Sequence, residues 1–405
     1  MSQLQLAILL GMTVALGPLA LDAYLPAFPD IANILGVTPN DVGLTLSIYV
    51  AALGLAQLVG GPLSDRYGRR VILLGGLFVF AIAALMVAQS DSLNEMLVWR
   101  LFQGIGGAFC AVSVPAIVRD QFSGVEAARL FGLIGLIMFI APAAAPSLGV
   151  LLLAFGAWPA IFLMLAGYAA FLAVVLQLRL FRQLPPKKPV TTPISTLVTN
   201  YLLVLRHGVT MRFIILQALC FSAMLVFITN ASFIYQDWFG LSNAMFSALF
   251  AANIVAMACL NLFNRYLLRH FAAVVILRVS VALQFISLLV LVALVWAGAP
   301  YWLIAAVIVI AVGFMGSIVP NSMANALEFF PYLGGTAAAL LGATQFTLAG
   351  GISAFSTVIG EGALFPIVLL MAICSLLATV LALGAPRAVR RENTRREVAE
   401  LANNE

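Results

Sequence analysis

Apolar residues recur along this chain in long runs, and short polar segments separate one run from the next. A run of about 20 apolar residues is long enough to cross a bilayer as an α-helix. Twelve such runs are predicted, at residues 4–26, 42–62, 71–89, 94–118, 128–153, 158–181, 211–234, 243–264, 272–297, 301–326, 335–359 and 364–385. The pattern therefore predicts an all-α integral membrane protein with twelve transmembrane helices, which we number span 1 to span 12.

Composition supports the same class. Hydrophobic residues make up 63% of the 405 residues and charged residues only 9%, whereas soluble domains carry about 25% charged residues. The first run is not predicted to be a signal peptide, because no basic segment precedes it and no small-residue cleavage site follows it. The four cysteines each lie inside an apolar run without metal-ligand spacing. We therefore expect no metal site and interpret these cysteines as packed hydrophobes: Cys110, Cys220, Cys259 and Cys374.

Positive charge is distributed asymmetrically between the two sides of the predicted membrane. All but one of the 20 lysines and arginines fall in the loops of one side or in the C-terminal tail. The loops of the other side contain acidic residues instead, namely Asp30, Asp41, Asp91, Asp237 and Glu361. Basic loops stay in the cytoplasm, so both termini are predicted to be cytoplasmic. The net charge of +5 is scattered over short loops, which argues against nucleic-acid binding.

The longest polar segment divides the spans into two sets of six. The predicted units are a first six-helix bundle (1–182), a linker (183–210), a second six-helix bundle (211–385) and a cytoplasmic tail (386–405). Prolines 185, 186 and 189 exclude a helix at the start of the linker. Apolar residues then recur at helical spacing from Ile194 to Leu205, which predicts an amphipathic helix on the membrane surface. An unstructured tether is the alternative.

The two halves repeat weakly. Asp65-Arg66-Tyr67-Gly68-Arg69-Arg70 follows span 2, and Asn264-Arg265-Tyr266-Leu267-Leu268-Arg269 follows span 8. Both keep the Arg-x3-Arg spacing, and an amide replaces the acid in the second copy. Corresponding features in two six-span halves indicate an internally repeated transporter with its site between the halves, near the midplane.

Asp22 lies at the end of the first apolar run, between Gly17-Pro18 and Pro26. A charged group within a membrane span is costly and is usually functional. Irregular backbone at membrane depth requires cover by protein or a water-filled cavity. We interpret Asp22 as a protonatable group that faces a cavity. The alternative is a residue at the membrane interface without a role.

Arg100 is the one basic residue inside a span. Its guanidinium is a permanent positive charge. It is predicted to face the cavity and to hydrogen-bond polar groups such as Gln103, one turn along the same helix. Snorkelling to the outer interface is the alternative. A nearby cation and desolvation would shift the Asp22 carboxyl in opposite directions, and the sequence does not say which prevails.

Four motifs carry a family resemblance that covers the whole chain. The loop Gly61-Pro62-Leu63-Ser64-Asp65-Arg66-Tyr67-Gly68-Arg69-Arg70 resembles the signature G-x-L-x-D-R-x-G-R-R of the major facilitator superfamily at every fixed position. The stretch 22–29 resembles the first-span signature of Bcr/CflA-type drug:proton antiporters, and the stretch 100–107 resembles their fourth-span arginine motif. Span 5 resembles the antiporter motif through Gly132, Gly135, Pro142, Pro146 and Gly149, although Ala141 and Val150 replace usual glycines.

The resemblance implies the major facilitator fold, with two pseudo-symmetric six-helix bundles, in a bacterial inner membrane. It implies proton coupling through Asp22 and Arg100, and a span 5 that lines the contact between the halves and limits proton leakage. It also implies a cytoplasmic charge latch, which we define as Gly61, Asp65, Arg66, Gly68, Arg69, Arg70, Arg119 and Asp120. Gly104, Gly107, Gly132 and Gly135 are predicted to allow close helix contacts.

The predicted function is proton-coupled export of lipophilic or amphiphilic drugs by alternating access. The substrate cavity is predicted to include Tyr24, Gln103, Met138, Phe227, Asn230, Asn253 and Gln345. We expect a monomer in the lipid bilayer, without a cofactor beyond the coupling proton, because no catalytic constellation or nucleotide-binding loop is present. A proton-coupled uptake symporter for a small metabolite is the alternative. A non-transporting receptor fits the signature loop poorly.

Overall fold

The protein is described here by a computed structural model that covers residues 3–122, 124–182, 193–330, 333–360 and 362–403. The first half contains α1 (Gln3–Asp22), α2 (Phe28–Leu35), α3 (Pro39–Tyr67), α4 (Arg69–Val87), α5 (Leu93–Gln121), α6 (Gly124–Phe155) and α7 (Pro159–Val175). The second half contains α8 (Ile194–Arg206), α9 (Gly208–Ser232), α10 (Asn243–Leu267), α11 (Ala273–Trp296), α12 (Tyr301–Gly313), α13 (Met315–Leu327), α14 (Gly334–Ile359) and α15 (Leu364–Asn403).

The prediction of twelve spans is confirmed: among the described residues, twelve helical segments are long and apolar enough to cross a membrane. Span 1 is interrupted, because α1 ends at Asp22 and a 3-10 turn over Leu25–Ala27 precedes α2. Pro18 lies inside α1, and the break follows Asp22. Span 10 is likewise divided into α12 and α13. Helix α15 continues beyond the predicted end of span 12.

Helix caps define where several spans begin. Thr38 and Asp41 form a reciprocal capping box at the start of α3, in which the Asp41 amide donates to Thr38 Oγ1 (3.2 Å) and the Thr38 amide donates to Asp41 Oδ2 (2.9 Å). Ser92 caps α5 and Ser242 caps α10 with their hydroxyl oxygens. These caps satisfy amide groups that a helix leaves unpaired at its start. All three lie at the end of the molecule that carries the acidic loops, which we call the far end.

The opposite end, which we call the basic end, carries the arginine-rich loops. Contacts across this end join helices that are distant in sequence. Arg69, at the start of α4, pairs with Asp120 at the end of α5. Arg70 donates to Gln177 after α7 (3.0 Å), and Arg212 in α9 donates to the Leu381 carbonyl of α15 (3.3 Å).

The two halves meet mainly along α3 and α14, which run antiparallel to each other. Small residues bring the two backbones close together. A Cβ atom added to Gly54 would lie 2.6 Å from the Thr347 nitrogen, and one added to Gly350 would lie 2.7 Å from the Ala51 nitrogen. Glycine at these positions therefore permits the close approach of the bundles.

The linker forms a helix, α8, across Ile194–Arg206 at the basic end. The alternative of an unstructured tether therefore does not hold for these residues. Val204 is buried, and the Tyr201 hydroxyl donates to the Leu58 carbonyl of α3 (3.1 Å). Val198 and Leu202 are exposed on another face, as expected for an amphipathic helix at a membrane surface. The proline-rich start of the linker and Glu361 lie outside the described residues.

Candidate functional site

Arg100 on α5 is completely buried, which contradicts the snorkelling alternative. Its Nη1 donates to Gln103 Oε1 (2.7 Å) and to the Ala20 carbonyl (3.1 Å). Its Nη2 donates to the Tyr24 hydroxyl (3.2 Å), and its Nε donates to the Thr45 carbonyl (3.4 Å). The predicted bond to Gln103 is therefore present, and four neutral oxygens from spans 1, 2 and 4 surround the guanidinium.

Aromatic rings supply the remaining contacts of this guanidinium. Arg100 Cζ lies 4.6 Å from the Tyr24 ring centroid, 4.4 Å from that of Tyr49 and 5.8 Å from that of Phe162. The negative face of an aromatic ring attracts a cation, more strongly when both are desolvated. Neutral oxygens and aromatic faces thus stabilise a buried positive charge that has no carboxylate partner among the described residues.

Asp22 lies on the backbone between Ala20 and Tyr24, which both bind Arg100. Its residue is 5% exposed at the end of α1. Neither a hydrogen bond nor an ion pair of the Asp22 carboxylate occurs within the described part of the chain. The carboxylate is therefore close in sequence to the Arg100 cluster but makes no hydrogen bond or ion pair with it.

Sequence reasoning missed three members of this cluster. Thr45 and Tyr49 lie one turn apart on α3, and Phe162 is on α7. The Tyr24 hydroxyl also shares a hydrogen bond with Thr45 Oγ1 (2.9 Å). A threonine and two aromatic residues in apolar spans are ordinary in sequence, so only the packing of three helices around Arg100 identifies them.

A seam of hydroxyl groups joins the two bundles on the far-end side of the molecule. Ser353 on α14 shares hydrogen bonds with Ser47 on α3 (2.7 Å) and with Thr229 on α9 (2.5 Å). Closer to the far end, Asn40 Nδ2 donates to the Gly360 carbonyl (3.0 Å). All four of these side chains are buried. The bundles are therefore closed against each other at the far end.

A cavity of about 1010 Å³ separates the bundles at the basic end. Its wall combines the end of α3, the second half of α5, the start of α14, parts of α6 and α13, and the linker helix. Tyr201 of α8 is part of this wall. Burial, and after it the negative charge of Asp65, raises the pKa of the Tyr201 phenol, so the hydroxyl remains a donor. The structure is thus open at the basic end and closed at the far end.

The predicted latch is only partly assembled around this cavity. Arg69 Nη2 pairs with Asp65 Oδ1 (2.5 Å), Arg69 Nε pairs with Asp120 Oδ2 (2.9 Å), and Arg69 Nη1 donates to Ser64 (3.1 Å). These partners all belong to α3, α4 and α5 of the first bundle. These two ion pairs, Arg69–Asp65 and Arg69–Asp120, therefore lie within the first bundle.

The other latch residues have separate surroundings. Arg66 lies over the Tyr67 ring at 5.6 Å and is not part of the ion-pair network. The turn depends on Gly68 alone, whose φ of 93° favours glycine. Gly61 is a helical residue of α3 and lines the cavity. Arg119 also lines the cavity. Its Nη1 lies 3.4 Å from the point where a Cβ atom added to Gly335, in the second bundle, would be.

Comparison with known proteins places this geometry in a family. A sequence model of the Major Facilitator Superfamily matches residues 10–354. The chain belongs to this superfamily. The fold agrees, because the crystal structure of a D-xylose-proton symporter superposes with a TM-score of 0.75 over 94% of this chain and 96% of that one. Its sequence identity is 15%, so the likeness concerns the fold alone.

Curated relatives extend the match. A bicyclomycin resistance protein homolog of Haemophilus influenzae is 31% identical over 342 residues, which cover 84% of this chain and 85% of that protein. Multidrug resistance protein D of Escherichia coli is 26% identical over 370 residues, covering 90% and 92%. These matches confirm the resemblance to the Bcr/CflA group within the major facilitator superfamily. The chain is thus a multi-pass bacterial membrane transporter.

The residues predicted to line a substrate cavity do not line the basic-end cavity of this superfamily member. Tyr24 and Gln103 are buried against Arg100. The other predicted residues make contacts within a bundle. Met138 is partly buried in the core, and Phe227 packs on Tyr235 and Phe250. Asn230 donates to Ser356 (2.8 Å), Asn253 donates to the Leu249 carbonyl (2.9 Å), and Gln345 accepts from Gln217 (2.5 Å). Each of these amides therefore has one polar atom paired within the protein, although Gln103 Nε2, Asn230 Oδ1 and Asn253 Oδ1 are buried without a partner.

The glycines of the superfamily motifs differ in what they allow. Gly104 contacts the Tyr49 carbonyl and Gly149 contacts the Ala23 carbonyl so closely that neither site has room for a Cβ atom. Gly149 thereby brings α6 against the turn that follows Asp22. Gly132 and Gly135 do not form the predicted close helix contacts in this state, because no atom of the described residues lies within 4 Å of the place where either Cβ would be. Pro142 and Pro146 lie inside the continuous helix α6.

Proposed function

We propose that this protein exports lipophilic or amphiphilic small molecules in exchange for protons. The observation that carries the proposal is the buried, unpaired Asp22 carboxylate at the break of span 1, two residues from Ala20 and from Tyr24, which both bind Arg100. Protonation of a group in this position changes the charge inside the first bundle. The names of the curated relatives, which refer to bicyclomycin and multidrug resistance, support a drug substrate.

The coupling cycle uses Asp22 and Arg100 in different ways. A proton that enters from the far end binds Asp22 and favours drug release there. Loss of that proton toward the basic end prepares the protein for the next drug. Arg100 keeps its charge throughout, because a guanidinium does not deprotonate in proteins. Its bonds to Ala20 and Tyr24 hold the backbone on both sides of Asp22.

Alternating access supplies the path. The open cavity at the basic end corresponds to the drug-loading state, and the basic end is placed in the cytoplasm by the positive-inside rule. Export then requires the hydrogen bonds that cross between the bundles at the far end, Ser47–Ser353 and Asn40–Gly360, to break while the basic end closes. Each of these hydrogen bonds contributes about 0.5–1.5 kcal/mol net to the stability of the closed state. A few such bonds therefore make a gate that ligand binding can open.

Efflux from cells that lack their own drug pumps tests the proposal. Cells that express the protein are loaded with a fluorescent lipophilic drug, and its loss is followed with and without a protonophore. Bicyclomycin, named in one relative, is assayed by growth inhibition. We expect faster efflux in expressing cells, and loss of that advantage with protonophore or with Asp22→Asn. Protonophore-insensitive efflux would contradict proton coupling. Protonophore-sensitive accumulation instead of efflux would favour a metabolite uptake symporter.

A further inference from the structure

Gln57, one of the polar groups on the wall of the basic-end cavity, has no partner. This residue is 8% exposed on α3 and lines the cavity. Across the described segments, its side-chain amide takes part in no hydrogen bond. The amide atoms are not sealed from the cavity. An unpaired amide that faces a cavity from a largely buried side chain is available to hydrogen-bond a ligand that enters it.

The mouth of the same cavity combines two positive features from opposite bundles. Gly334, Gly335 and Thr336, the first turn of α14, line the wall, and Leu333 gives the helix no side-chain cap. The amide groups of a first turn lack intrahelical partners and carry a partial positive charge. The Arg119 guanidinium of α5 lies against this turn, because its Nη1 is 3.4 Å from the point where a Cβ atom added to Gly335 would be.

Arg119 is a charged residue of the cavity wall that has no counter-ion among the described residues. Asp65 also lines the cavity, but Arg69 neutralises it through an ion pair of 2.5 Å. Among the described residues, Arg119 forms neither an ion pair nor a hydrogen bond. A guanidinium and a helix N-terminus repel each other unless an anion lies between them.

The rest of the wall is apolar and comes from both bundles. Val112 and Pro115 face the cavity from the first bundle, and Met323, Leu327 and Leu333 face it from the second. A volume of about 1010 Å³ accommodates a drug-sized molecule. The cavity therefore offers a positive mouth, apolar sides and one deeper amide.

We propose that this cavity binds amphiphiles that carry an anionic headgroup, such as a carboxylate or phosphate, in preference to lipophilic cations. The headgroup binds Arg119 and the first turn of α14, the apolar body lies against both bundles, and Gln57 hydrogen-bonds a polar group at depth. That the ligand is an exported substrate rests on the proposed function. Contact with both bundles would let the same ligand bias their relative positions.

Matched probes on purified full-length protein test this assignment. The probes are a dansyl-labelled medium-chain fatty acid, its methyl ester and its trimethylammonium analogue, measured by fluorescence anisotropy in phosphatidylcholine nanodiscs with empty discs subtracted. We expect the carboxylate to bind most tightly. Arg119→Gln should weaken carboxylate binding about tenfold and leave ester binding unchanged, while Arg119→Lys restores part of it. Gln57→Leu should weaken both the carboxylate and the ester.

Arg265→Gln is the control, because Arg265 is exposed at the basic end but lies outside the cavity wall. The proposal would be overturned if Arg119→Gln left the ratio of carboxylate affinity to ester affinity unchanged. It would also be overturned if the trimethylammonium probe bound more tightly than the carboxylate. Nanodiscs with phosphatidylglycerol separate the two sources of the anion. If phosphatidylglycerol leaves carboxylate binding unchanged, the ligand is a free amphiphile. If this lipid competes with the carboxylate and Arg119→Gln removes the competition, the site binds a lipid headgroup and the substrate assignment is overturned.

The two proposals fail in different ways. Proton-driven efflux of drugs by a protein without carboxylate preference would leave the proposed function in place and remove the anionic-headgroup site. Carboxylate binding that depends on Arg119, in a protein that moves no compound against a gradient, would retain the site and remove efflux.

Discussion

The two bundles place different side chains at equivalent positions at the ends of spans 2 and 8: an acid in an ion pair in the first bundle and a buried amide in the second. In the first bundle, Asp65 at the end of span 2 pairs with Arg69, which also binds Asp120 at the end of span 4. The Asp65 side chain is 48% exposed. In the second bundle, the corresponding Asn264 is 2% exposed and accepts hydrogen bonds from Asn321 (2.6 Å) and Ser317 (3.2 Å) of span 10.

We expect this difference to make the polar contacts of the first bundle easier to rearrange than those of the second. The Asp65–Arg69 pair, in which Asp65 is half exposed, is of the kind that contributes about 0–1 kcal/mol and is easily exchanged, whereas Arg69–Asp120 is largely buried. Buried amide networks are costly to disrupt, because each group left unpaired loses about 1–3 kcal/mol. The same division holds at membrane depth, where the first bundle contains Arg100 and Asp22 and the second relies on amides and hydroxyls such as Gln217 and Gln345. We therefore expect charge-dependent function in the first bundle and structural effects in the second.

Removal of Arg100 should have the largest effect. Arg100→Ala removes the donor of Gln103 Oε1 and of the Ala20 carbonyl, at about 1–3 kcal/mol each, and we expect export to fall to background. Arg100→Lys keeps the charge but not the fork of donors, so we expect partial export. Drug efflux and thermal unfolding of the purified protein measure both. The matched change in the second bundle, Asn321→Ala, should destabilise the protein but leave proton-driven export. Full export by both Arg100 variants would contradict this contrast.

Asp22→Asn should abolish proton-driven export with little loss of stability. The carboxylate has no bonded partner in the described residues, so the amide replaces it without disturbing the Arg100 cluster. Drug binding should persist, because it does not require the proton. Efflux in everted membrane vesicles with an imposed pH gradient measures coupling, and the unfolding temperature measures stability. A variant that pumps like the parent would show that another group carries the proton.

Asn264→Asp would place the acid of the first bundle into the second. The site is buried among Asn321 and Ser317, so the new carboxylate must give up water without gaining an arginine. We expect a loss of about 2–4 kcal/mol in the free energy of unfolding. The reciprocal change Asp65→Asn should cost at most about 1 kcal/mol, because its ion pair is half exposed. Similar losses in the two variants, measured by denaturant unfolding in detergent, would remove the distinction between the bundles.

The smallest expected effect is a shift in the balance of states. Asp65 and the first turn of α14 line opposite sides of the basic-end cavity, so closure would bring a carboxylate toward a helix N-terminus, worth about 0.3–1 kcal/mol. Asp65→Asn should therefore favour the state open at the basic end and slow turnover a few-fold. Spin labels on the basic ends of α3 and α14 report the distance. An unchanged distance distribution, in conditions where the parent is mostly closed there, would exclude this role.

The sequence by itself determined the class, the number of spans and the family. Twelve apolar runs and a loop that matches a ten-residue signature are local features, since the bilayer requires each span to satisfy its own backbone. The hydrogen bond from Arg100 to Gln103 was predictable for the same reason, because residues three apart on a helix are neighbours.

Tertiary structure decided the surroundings of each polar group. Tyr49 and Thr45 contact Arg100 only because α3 and α5 pack together, and no spacing in the sequence encodes that contact. The amides predicted to line a cavity, such as Asn230 and Gln345, instead bind partners more than 100 residues away. Whether a polar side chain faces water or protein depends on the position of neighbouring helices. Those positions, which leave Gln57 and Arg119 on a cavity wall, are set by packing between the two halves rather than by either segment alone.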